Sequence, residues 1–286
     1  MNASFLESGL NFLPQIVSGL ALLLAATAVV ARRAWPLVLA AALIVGLGVG
    51  LAAYKATLSV PGDGRGLRVM TANLLYSNTD VPAFNRAVRA SDPDVLVVQE
   101  RVAFWTEAIG RTLGSAYAIL ATSPASNTAV YIRKGQPTCP VPELRTPIAE
   151  NAALGCALIE EVPTLVLGVH APRPRDPMAE ADRIASLAAY RATLAEAGMP
   201  HILAGDFNAS PIAPGMAAFL DETSVSMPAE PGVWFASSWP AAIPAVGVRI
   251  DHVLVSGEFA ARLVRVGPPI GSDHLPVTVD VARRER

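Results

Sequence analysis

Two long stretches without a charged side chain stand near the start of the chain, before any strand-like pattern begins. Residues 9–31 and 34–54 contain no Asp, Glu, Lys or Arg, and only Arg32 and Arg33 separate them. Each stretch reaches the roughly 20 apolar residues that a helix needs to cross the hydrocarbon core of a bilayer. The pattern predicts a hairpin of two transmembrane helices, which forms a membrane anchor over residues 1–58.

A cleaved signal peptide is the alternative interpretation of this segment. Such peptides begin with a positively charged region and have a shorter apolar core, whereas residues 1–10 contain Glu7 and no Lys or Arg. Loops that carry Lys and Arg usually stay in the cytoplasm. The loop between the spans has Arg32 and Arg33, whereas only Lys55 follows the second span, so the loop is expected on the cytoplasmic side. We therefore expect a multi-pass protein of a bacterial-type inner or plasma membrane, with the rest of the chain in the periplasm or outside the cell.

Beyond a Pro/Gly-rich linker at residues 59–66, the pattern changes to short apolar runs of strand length, separated by amphipathic segments. Strands are predicted at LRVMTAN, VLVVQ, AYAIL, TAVYIRK, GCALIEEV, TLVLGVH, HILAGDF, RIDHVLVS, LVRV and PVTVDV. Helices are predicted at PAFNRAVRAS, FWTEAIGRTLG and PGMAAFLDE, and most clearly at Pro177–Ala197, where Asp176 is an N-cap and Gly198 a stop. Strands occur both between helices and in helix-free pairs, so residues 67–286 are predicted to form one α/β (α+β) domain with mixed or antiparallel sheets.

Composition and charge narrow the choice of partners. The 286 residues are 52% hydrophobic and 16% charged. Without Arg32, Arg33, Lys55, Glu7 and Asp63, the chain keeps 19 cationic and 22 acidic residues, a net charge near −3 for the domain. Proteins that grip duplex DNA usually present a basic surface, so nucleic acid is a possible but not a favoured partner.

The chain has two cysteines, Cys139 and Cys156. Outside the cytoplasm they could form a disulfide, since that compartment tolerates such bonds. Their spacing matches no motif, so two separate buried thiols are the alternative.

Polar side chains stand at or beside the ends of several predicted strands. They are Asn73, Glu100, His170, Asp206, Asn208, Asp251, His252, Asp273 and His274. One such residue is more often a loop residue or a helix cap, so the prediction depends on their number. His252 must point away from Asp251 on a strand and is assigned to packing, while His201 follows a Gly–Pro turn and is assigned to the surface.

Three of the acids in this set would repel one another at a shared site. Convergence of Glu100, Asp206 and Asp273 would raise their pKa values unless a cation neutralised them. Carboxylate and amide oxygens suit Mg²⁺ or Mn²⁺ rather than zinc. Such an ion would bind phosphate oxygens and stabilise charge on a leaving group.

The imidazoles complete this chemistry. A carboxylate such as Asp251 would hold His274 in one tautomer and make it more basic. His274 would then either activate water or steady a phosphoryl group. His170 is the second candidate, as a phosphate ligand or a general acid.

Five motifs follow one another in a familiar order. They are TxN at Thr71–Asn73, QE at Gln99–Glu100, GDFN at Gly205–Asn208, RIDHVLVS at Arg249–Ser256 and GSDHLPV at Gly271–Val277. Their order resembles that of the endonuclease/exonuclease/phosphatase (DNase I-like) superfamily, which includes pancreatic-type deoxyribonucleases, abasic-site endonucleases, bacterial sphingomyelinases and inositol-polyphosphate 5-phosphatases. The resemblance covers nearly all of Leu67–Val281. It implies a four-layer α/β sandwich of two sheets flanked by helices, and Mg²⁺-dependent cleavage of a phosphoester by in-line attack of water.

The resemblance also implies a set of metal ligands. Glu100 resembles the principal metal ligand. Asn73 resembles its neighbour in the site, which contacts both the metal and the substrate. Asp273 is similar to the second carboxylate on the metal side. Asp206 resembles an acid that faces both the metal and the attacking water.

The same resemblance implies the catalytic and phosphate-binding roles. Asp206 would orient or activate water, and Asn208 would hold phosphate or metal. His274 is similar to the catalytic histidine, supported by Asp251. His170 falls where some members use histidine and the abasic-site enzymes use tyrosine.

The substrate is predicted less sharply than the chemistry. The loop after His170 carries Arg173 and Arg175, enough to neutralise one or two phosphates but not to follow a DNA groove. Trp234 and Trp239 belong to an aromatic loop that either touches a membrane interface or packs over the end of the sandwich. With the double anchor, which is similar to that of members of the teicoplanin-resistance type, this favours a lipid-linked or small phosphate ester. The alternatives are an extracytoplasmic nuclease and a non-catalytic membrane protein that binds phosphate ligands; no protein partner is inferred.

Overall fold

A computed structural model of the protein describes residues 17–23, 66–228 and 236–284, and residues 17–23 are helical. Apart from residues 17–23, the two predicted membrane spans, about 9–31 and 34–54, lie outside the described residues. Within the described part of the chain, no helix is both long enough and apolar enough to cross a bilayer.

Ten strands are present in residues 66–228 and 236–284. They are β1 (Leu67–Asn73), β2 (Val95–Gln99), β3 (Tyr117–Ser123), β4 (Thr128–Arg133), β5 (Ala152–Ile159), β6 (Val162–His170), β7 (His201–Asp206), β8 (Asp251–Val255), β9 (Phe259–Val266) and β10 (Val277–Arg283). The α-helices of the same residues are α1 (Val81–Ser91), α2 (Ala103–Leu113), α3 (Pro177–Ala197) and α4 (Pro214–Thr223). Every strand and helix predicted for the domain is confirmed, with ends that shift by no more than four residues.

The strands form two mixed sheets. The first has six strands in the order β3-β4-β2-β1-β10-β9, and the second has four in the order β5-β6-β7-β8. Neighbours are parallel at β1–β2 and β6–β7 and antiparallel at every other pair. The parallel pairs matter for function, because their carboxyl ends lie at the same edge of each sheet.

Alternation along the strands builds the layers. In β2, Val95 and Val97 belong to the core between the two sheets, whereas Leu96 and Val98 pack with residues of α1 and α2. In β7, Leu203 packs on the outer side with residues of α3 and α4. The order is therefore helices, sheet, sheet, helices, which confirms the predicted four-layer α/β sandwich.

Capping fixes where α3 begins and ends. The Asp176 side chain accepts hydrogen bonds from the backbone N–H groups of Met178 and Ala179, each at 2.9 Å. Gly198 ends the helix at φ +57°. Because the helix start is fixed in this way, so is the end of the loop that leads into it from β6.

The two cysteines form a disulfide. Cys139, in the segment before β5, is bonded to Cys156 in that strand, and the backbone N–H of Cys139 also donates to the carbonyl of Cys156 at 3.1 Å. Of the two alternatives left by the sequence, the structure contains the bridged form.

Candidate active site

The site is the polar end of the layer between the sheets. On β7, Ile202 and Ala204 belong to the inter-sheet core, and Asp206 follows two residues later on the same face. On β1, Val69 belongs to that core, and Asn73 continues the same alternation. Carboxylates and amides thus replace valine and alanine where the strands end.

Strand register brings the polar ends together. His170 is paired with Asp206 across β6 and β7, and Asp206 with Asp251 across β7 and β8. In the other sheet, Asn73 is paired with the last residue of β2, which Glu100 follows directly. Five separate stretches of sequence therefore meet at one edge of the sandwich.

Asn73 joins the two sheets at this edge. Its side-chain nitrogen donates to Glu100 Oε1 and to Asp206 Oδ2, each at 3.1 Å. Its side-chain oxygen accepts from the Leu75 N–H at 3.0 Å, and the Tyr76 N–H donates to Glu100 Oε2 at 2.8 Å. The Asn73 amide and the Tyr76 N–H thus hold two carboxylates close to each other, and the Leu75 N–H fixes the amide.

Two site residues have a left-handed backbone. Glu100 has φ +54° and Asn208 has φ +48°, a region that side chains other than glycine visit rarely. Asn208 donates from its backbone to Asp206 Oδ1 at 2.8 Å, and from its side chain to Ala171 O at 2.9 Å and Asp206 Oδ2 at 3.3 Å. Such backbone strain concentrates at functional sites, where the surrounding structure holds it in place.

His274 sits between two buried acids. Its Nδ1 lies 2.9 Å from Asp251 Oδ2, and its Nε2 lies 3.8 Å from Asp206 Oδ2. The Nε2 atom of His170 approaches the same Asp206 oxygen at 3.9 Å. Both imidazoles therefore face the carboxylate that Asn73 holds.

Burial and charge act in opposite directions on His274. Burial alone would lower its pKa, but the negative charges of Asp251 and Asp206 raise the pKa of His274 to about 10. Burial raises the pKa of Asp251, so this carboxylate depends on the imidazolium for its ionised form. The two carboxylates thus favour the imidazolium form of His274, in which the Nε2–H can donate towards the cleft.

The loop that carries His274 is fixed by its neighbours. The Ser272 hydroxyl accepts from the His274 N–H at 3.0 Å. Gly271 has φ +83°, and a side-chain carbon there would lie 2.4 Å from Asn78 Oδ1. Asn78 in turn donates to the carbonyl of Ile270 at 3.0 Å. Only glycine fits this position, because both the backbone angle and the space exclude a side chain.

Trp239 is a site residue that sequence reasoning missed. Its indole Nε1–H donates to Asp273 Oδ2 at 3.1 Å, and the guanidinium carbon of Arg173 lies 5.2 Å from its ring centroid. The sequence left membrane contact and packing over the end of the sandwich as alternatives for Trp239, and no motif linked it to Asp273. Trp234 of the same loop lies outside the described residues.

These groups line one cleft of about 920 Å³. The predicted site residues that line it are Asn73, Glu100, His170, Arg173, Asp206, Asn208, Asp273 and His274. Asp251 lies behind His274 with no exposed surface. The structure thus brings all the predicted site residues together: eight of them line the cleft, and Asp251 is buried behind His274.

The two remaining histidines lie elsewhere. His252 bonds to the carbonyl of Ala209 at 2.8 Å, and burial lowers its pKa to about 3, which confirms its assignment to packing. The assignment of His201 to the surface is wrong. It is half-buried, its Nδ1 lies 2.9 Å from Met199 O, its backbone N–H is bonded to Ser256 Oγ, and burial lowers its pKa.

The donor set suits a hard divalent cation. Glu100, Asp206 and Asp273 offer carboxylate oxygens to one cleft. Asp206, Asp251 and His274 also form a group whose ligand atoms lie within 4.8 Å of one another. That second group is less suited to a cation, because Asp251 is fully buried and already bonded to His274.

Comparison with known proteins identifies the family. The model of the Endonuclease/Exonuclease/phosphatase family matches residues 70–274. The chain belongs to this family. Members of the endonuclease/exonuclease/phosphatase family are phosphoester hydrolases, in agreement with the resemblance drawn from the motifs. Comparison with curated protein sequences gives no match.

Solved structures confirm the family fold. An endonuclease/exonuclease/phosphatase family protein from Bacteroides thetaiotaomicron is 18% identical with a TM-score of 0.63, and the match covers 77% of this chain and 98% of that chain. A mannosyl-6-phosphatase from the same organism is 18% identical with a TM-score of 0.60, covering 76% and 99%. The human Nocturnin catalytic domain with bound sulfate is 17% identical with a TM-score of 0.56, covering 80% and 99%.

Proposed function

We propose that the protein is a membrane-anchored, Mg²⁺-dependent phosphoester hydrolase whose active site lies on the non-cytoplasmic side of the membrane. One observation carries the hydrolytic part of this proposal. Asn73 holds Glu100 and Asp206 together at 3.1 Å from each, while the His274–Asp251 pair faces the same Asp206 carboxylate. A cluster of acids beside two imidazoles is suited to phosphoryl transfer to water.

Glu100, Asp206 and Asp273 would hold Mg²⁺ or Mn²⁺ through their carboxylate oxygens. When bound, the ion supplies positive charge to the phosphate oxygens and to the leaving group. Asn73 is the fourth proposed ligand, through its amide oxygen, which keeps a second lone pair besides the one that accepts from the Leu75 N–H. Its nitrogen is bonded to both acids, so it also orients the two carboxylates and holds them close to each other.

Each of three side chains in the cleft then has its own role in the reaction. Asp206 accepts a proton from the attacking water as the water oxygen bonds to phosphorus. His274 donates a hydrogen bond from Nε2 to a phosphoryl oxygen, and Asp251 holds its tautomer and orientation. His170, on the other side of Asp206, is placed to give a proton to the departing oxygen as its bond to phosphorus breaks.

Asn208 serves mainly to position Asp206. Both hydrogens of its side-chain amide are engaged, one by Ala171 O and one by Asp206 Oδ2. Its backbone N–H also binds the other Asp206 oxygen. A phosphate would therefore meet an Asn208 whose donors are already used, and its effect on catalysis is exerted through Asp206.

The proposed location outside the cytoplasm has two supports. Arg32 and Arg33 separate the two apolar stretches and favour a cytoplasmic position for that short loop. The Cys139–Cys156 disulfide suits an oxidising compartment. A reporter enzyme fused after Arg286 tests the orientation, and activity of a cytoplasm-specific reporter would contradict it.

A lipid-linked or small phosphate ester is the proposed substrate. Tyr76 lines the cleft and is 69% exposed. Ile243 and Val246 are 58% and 56% exposed, on the segment between Trp239 and Val248, which both line the cleft. Exposed apolar groups around a cleft on an anchored domain favour contact with the membrane interface.

A substrate panel tests the function. The purified full-length chain is assayed with Mg²⁺ against bis-p-nitrophenyl phosphate, a phospholipid and plasmid DNA. We expect hydrolysis of the generic diester and of the phospholipid, little nicking of plasmid, and loss of activity in Asp206→Asn but not in Asp221→Asn, an exposed acid on α4. Plasmid degradation alone would favour a nuclease, and undiminished turnover by Asp206→Asn would reject the proposed site.

A further inference from the structure

Arg173 is held on a fixed aromatic platform at the rim of the cleft. Its guanidinium carbon lies 5.2 Å from the centroid of the Trp239 ring, a distance at which the cation is attracted to the ring face. Trp239 is fixed by its indole bond to Asp273 at 3.1 Å, and by paired backbone bonds with Val248 at 3.0 and 2.7 Å. The ring therefore presents the guanidinium at a defined place.

This guanidinium has no acid of its own among the described residues. Within residues 17–23, 66–228 and 236–284, neither Arg173 nor its neighbour Arg175 forms an ion pair with a carboxylate. Other arginines of the domain do: Arg68 binds Asp280 at 2.6 Å. Two exposed cations that line a cleft with an acidic floor keep their hydrogen-bond donors for a ligand.

Arg173 does not share the contacts with Asp206 that His170 and His274 make. His170, His274 and Asp206 occupy the floor at the strand ends, whereas Arg173 stands on the loop beyond β6 and faces the ring that binds Asp273. The cleft of about 920 Å³ is near the upper end of the size of small-molecule sites. A substrate that fills it extends from the floor to the rim.

We propose that Arg173, positioned by Trp239, forms a second anion subsite, and that the substrate carries a further phosphate group besides the one that is hydrolysed. Arg175 lines the same rim and adds to its charge. A guanidinium is suited to this role because its planar fork binds two phosphate oxygens at once. The inference rests on the proposed function, since it takes the reacting phosphate to lie at the floor.

A series of bisphosphonates measures the subsite directly. The full-length chain in a non-ionic detergent is titrated calorimetrically, in excess Mg²⁺, with alkane-1,n-bisphosphonates of one to six carbons and with the matching alkyl monophosphonates. At one spacing, we expect the bisphosphonate to bind roughly ten-fold or more tightly than its monophosphonate. A preference for the one-carbon spacer would indicate a diphosphate, and a preference for a longer spacer would indicate two separate phosphates.

Variants assign the effect to Arg173. In Arg173→Gln and Trp239→Leu, the bisphosphonate should bind no better than the monophosphonate, whereas Arg111→Gln, on exposed α2, should keep the preference. Equal affinity for both ligand types at every spacing in the wild type, or a preference that survives Arg173→Gln, would overturn the subsite. Because binding is measured without turnover, failure of the hydrolysis assay is distinguished from failure of this proposal.

Discussion

His274 and Asp251 form a buried pair in which the imidazole Nδ1 lies 2.9 Å from the carboxylate Oδ2. Asp251 has no exposed surface, and His274 keeps only its other nitrogen for the cleft. The pair comes from two distant motifs, yet it fixes which ring nitrogen carries a hydrogen towards the substrate. Its charge state and its orientation are therefore linked.

Replacement of Asp251 by asparagine should remove the control that this carboxylate has over the charge and the tautomer of His274. An amide no longer favours the imidazolium and permits the other tautomer, so we expect the kcat for bis-p-nitrophenyl phosphate to fall roughly 10²–10⁴-fold. Asp221→Asn, on the exposed face of α4, is the matched control and should retain wild-type kcat. Equal rates in Asp251→Asn and Asp221→Asn would show that the pair has no catalytic part.

The pH dependence of His274 follows from its acid neighbours. Asp251 and Asp206 raise the pKa of His274 to about 10, so the ring is charged at neutral pH and loses its proton as the pH rises through that value. NMR of the His274 ring should therefore show its transition near pH 10, assigned by its absence in His274→Asn. In Asp251→Asn the transition should move to lower pH, and a wild-type transition near the ordinary histidine value of about 6.5 would contradict this.

Gly271 should be irreplaceable in a way that Gly135, which also has a positive φ, is not. Gly271→Ala places a methyl group 2.4 Å from Asn78 Oδ1 in a backbone with φ +83°, so it should displace the loop that carries His274. We expect a loss of stability above the roughly 1–3 kcal/mol of backbone strain alone, and a lower kcat. Gly135→Ala is the control, since Gly135 has φ +94° but no atom within 4 Å. Chemical denaturation and kinetics check both, and Gly271→Ala should differ from Gly135→Ala in each.

The disulfide should affect stability and not chemistry. Cys139 and Cys156 are 17 residues apart and neither lines the cleft. Loss of a cross-link over a loop of this length costs about 3 kcal/mol of unfolding free energy. The double variant Cys139→Ala/Cys156→Ala should therefore unfold at lower denaturant concentration with unchanged kcat, and a free energy of unfolding equal to that of the wild type would contradict a stabilising role for the bridge.

The sequence predicts the sandwich well because successive side chains of each strand point to opposite faces of the sheet. Val95, Leu96, Val97 and Val98 send successive side chains to different cores, and the same period places Asp206 and Asn73 in the inter-sheet layer. The residues of the five motifs meet at one end of the sandwich, because each stands at or beside the end of an apolar strand, whereas Trp239 was missed. Period-two alternation also assigned His252 correctly to the opposite face.

Contacts between loops could not be predicted from the sequence pattern. Neither the Trp239–Asp273 bond nor the stacking of Arg173 on that ring follows from spacing, since all three lie outside the strands and meet only in the folded chain. The direction of the Asn73 amide was likewise hidden, because it depends on the Leu75 N–H that occupies its oxygen. His201 was misassigned for a related reason: the turn that suggested exposure packs against Ser256.

The proposed hydrolysis of a phosphoester depends on a divalent cation that is held by the acidic cluster at the end of the inter-sheet core. A Mg²⁺ titration of bis-p-nitrophenyl phosphate hydrolysis tests it most directly, with Glu100→Gln compared against Glu143→Gln, an exposed acid far along the chain. We expect no turnover without Mg²⁺, and a half-saturating Mg²⁺ concentration that is raised about 10-fold or more in Glu100→Gln alone. Turnover that persists in excess chelator, or the same Mg²⁺ dependence in both variants, would contradict it.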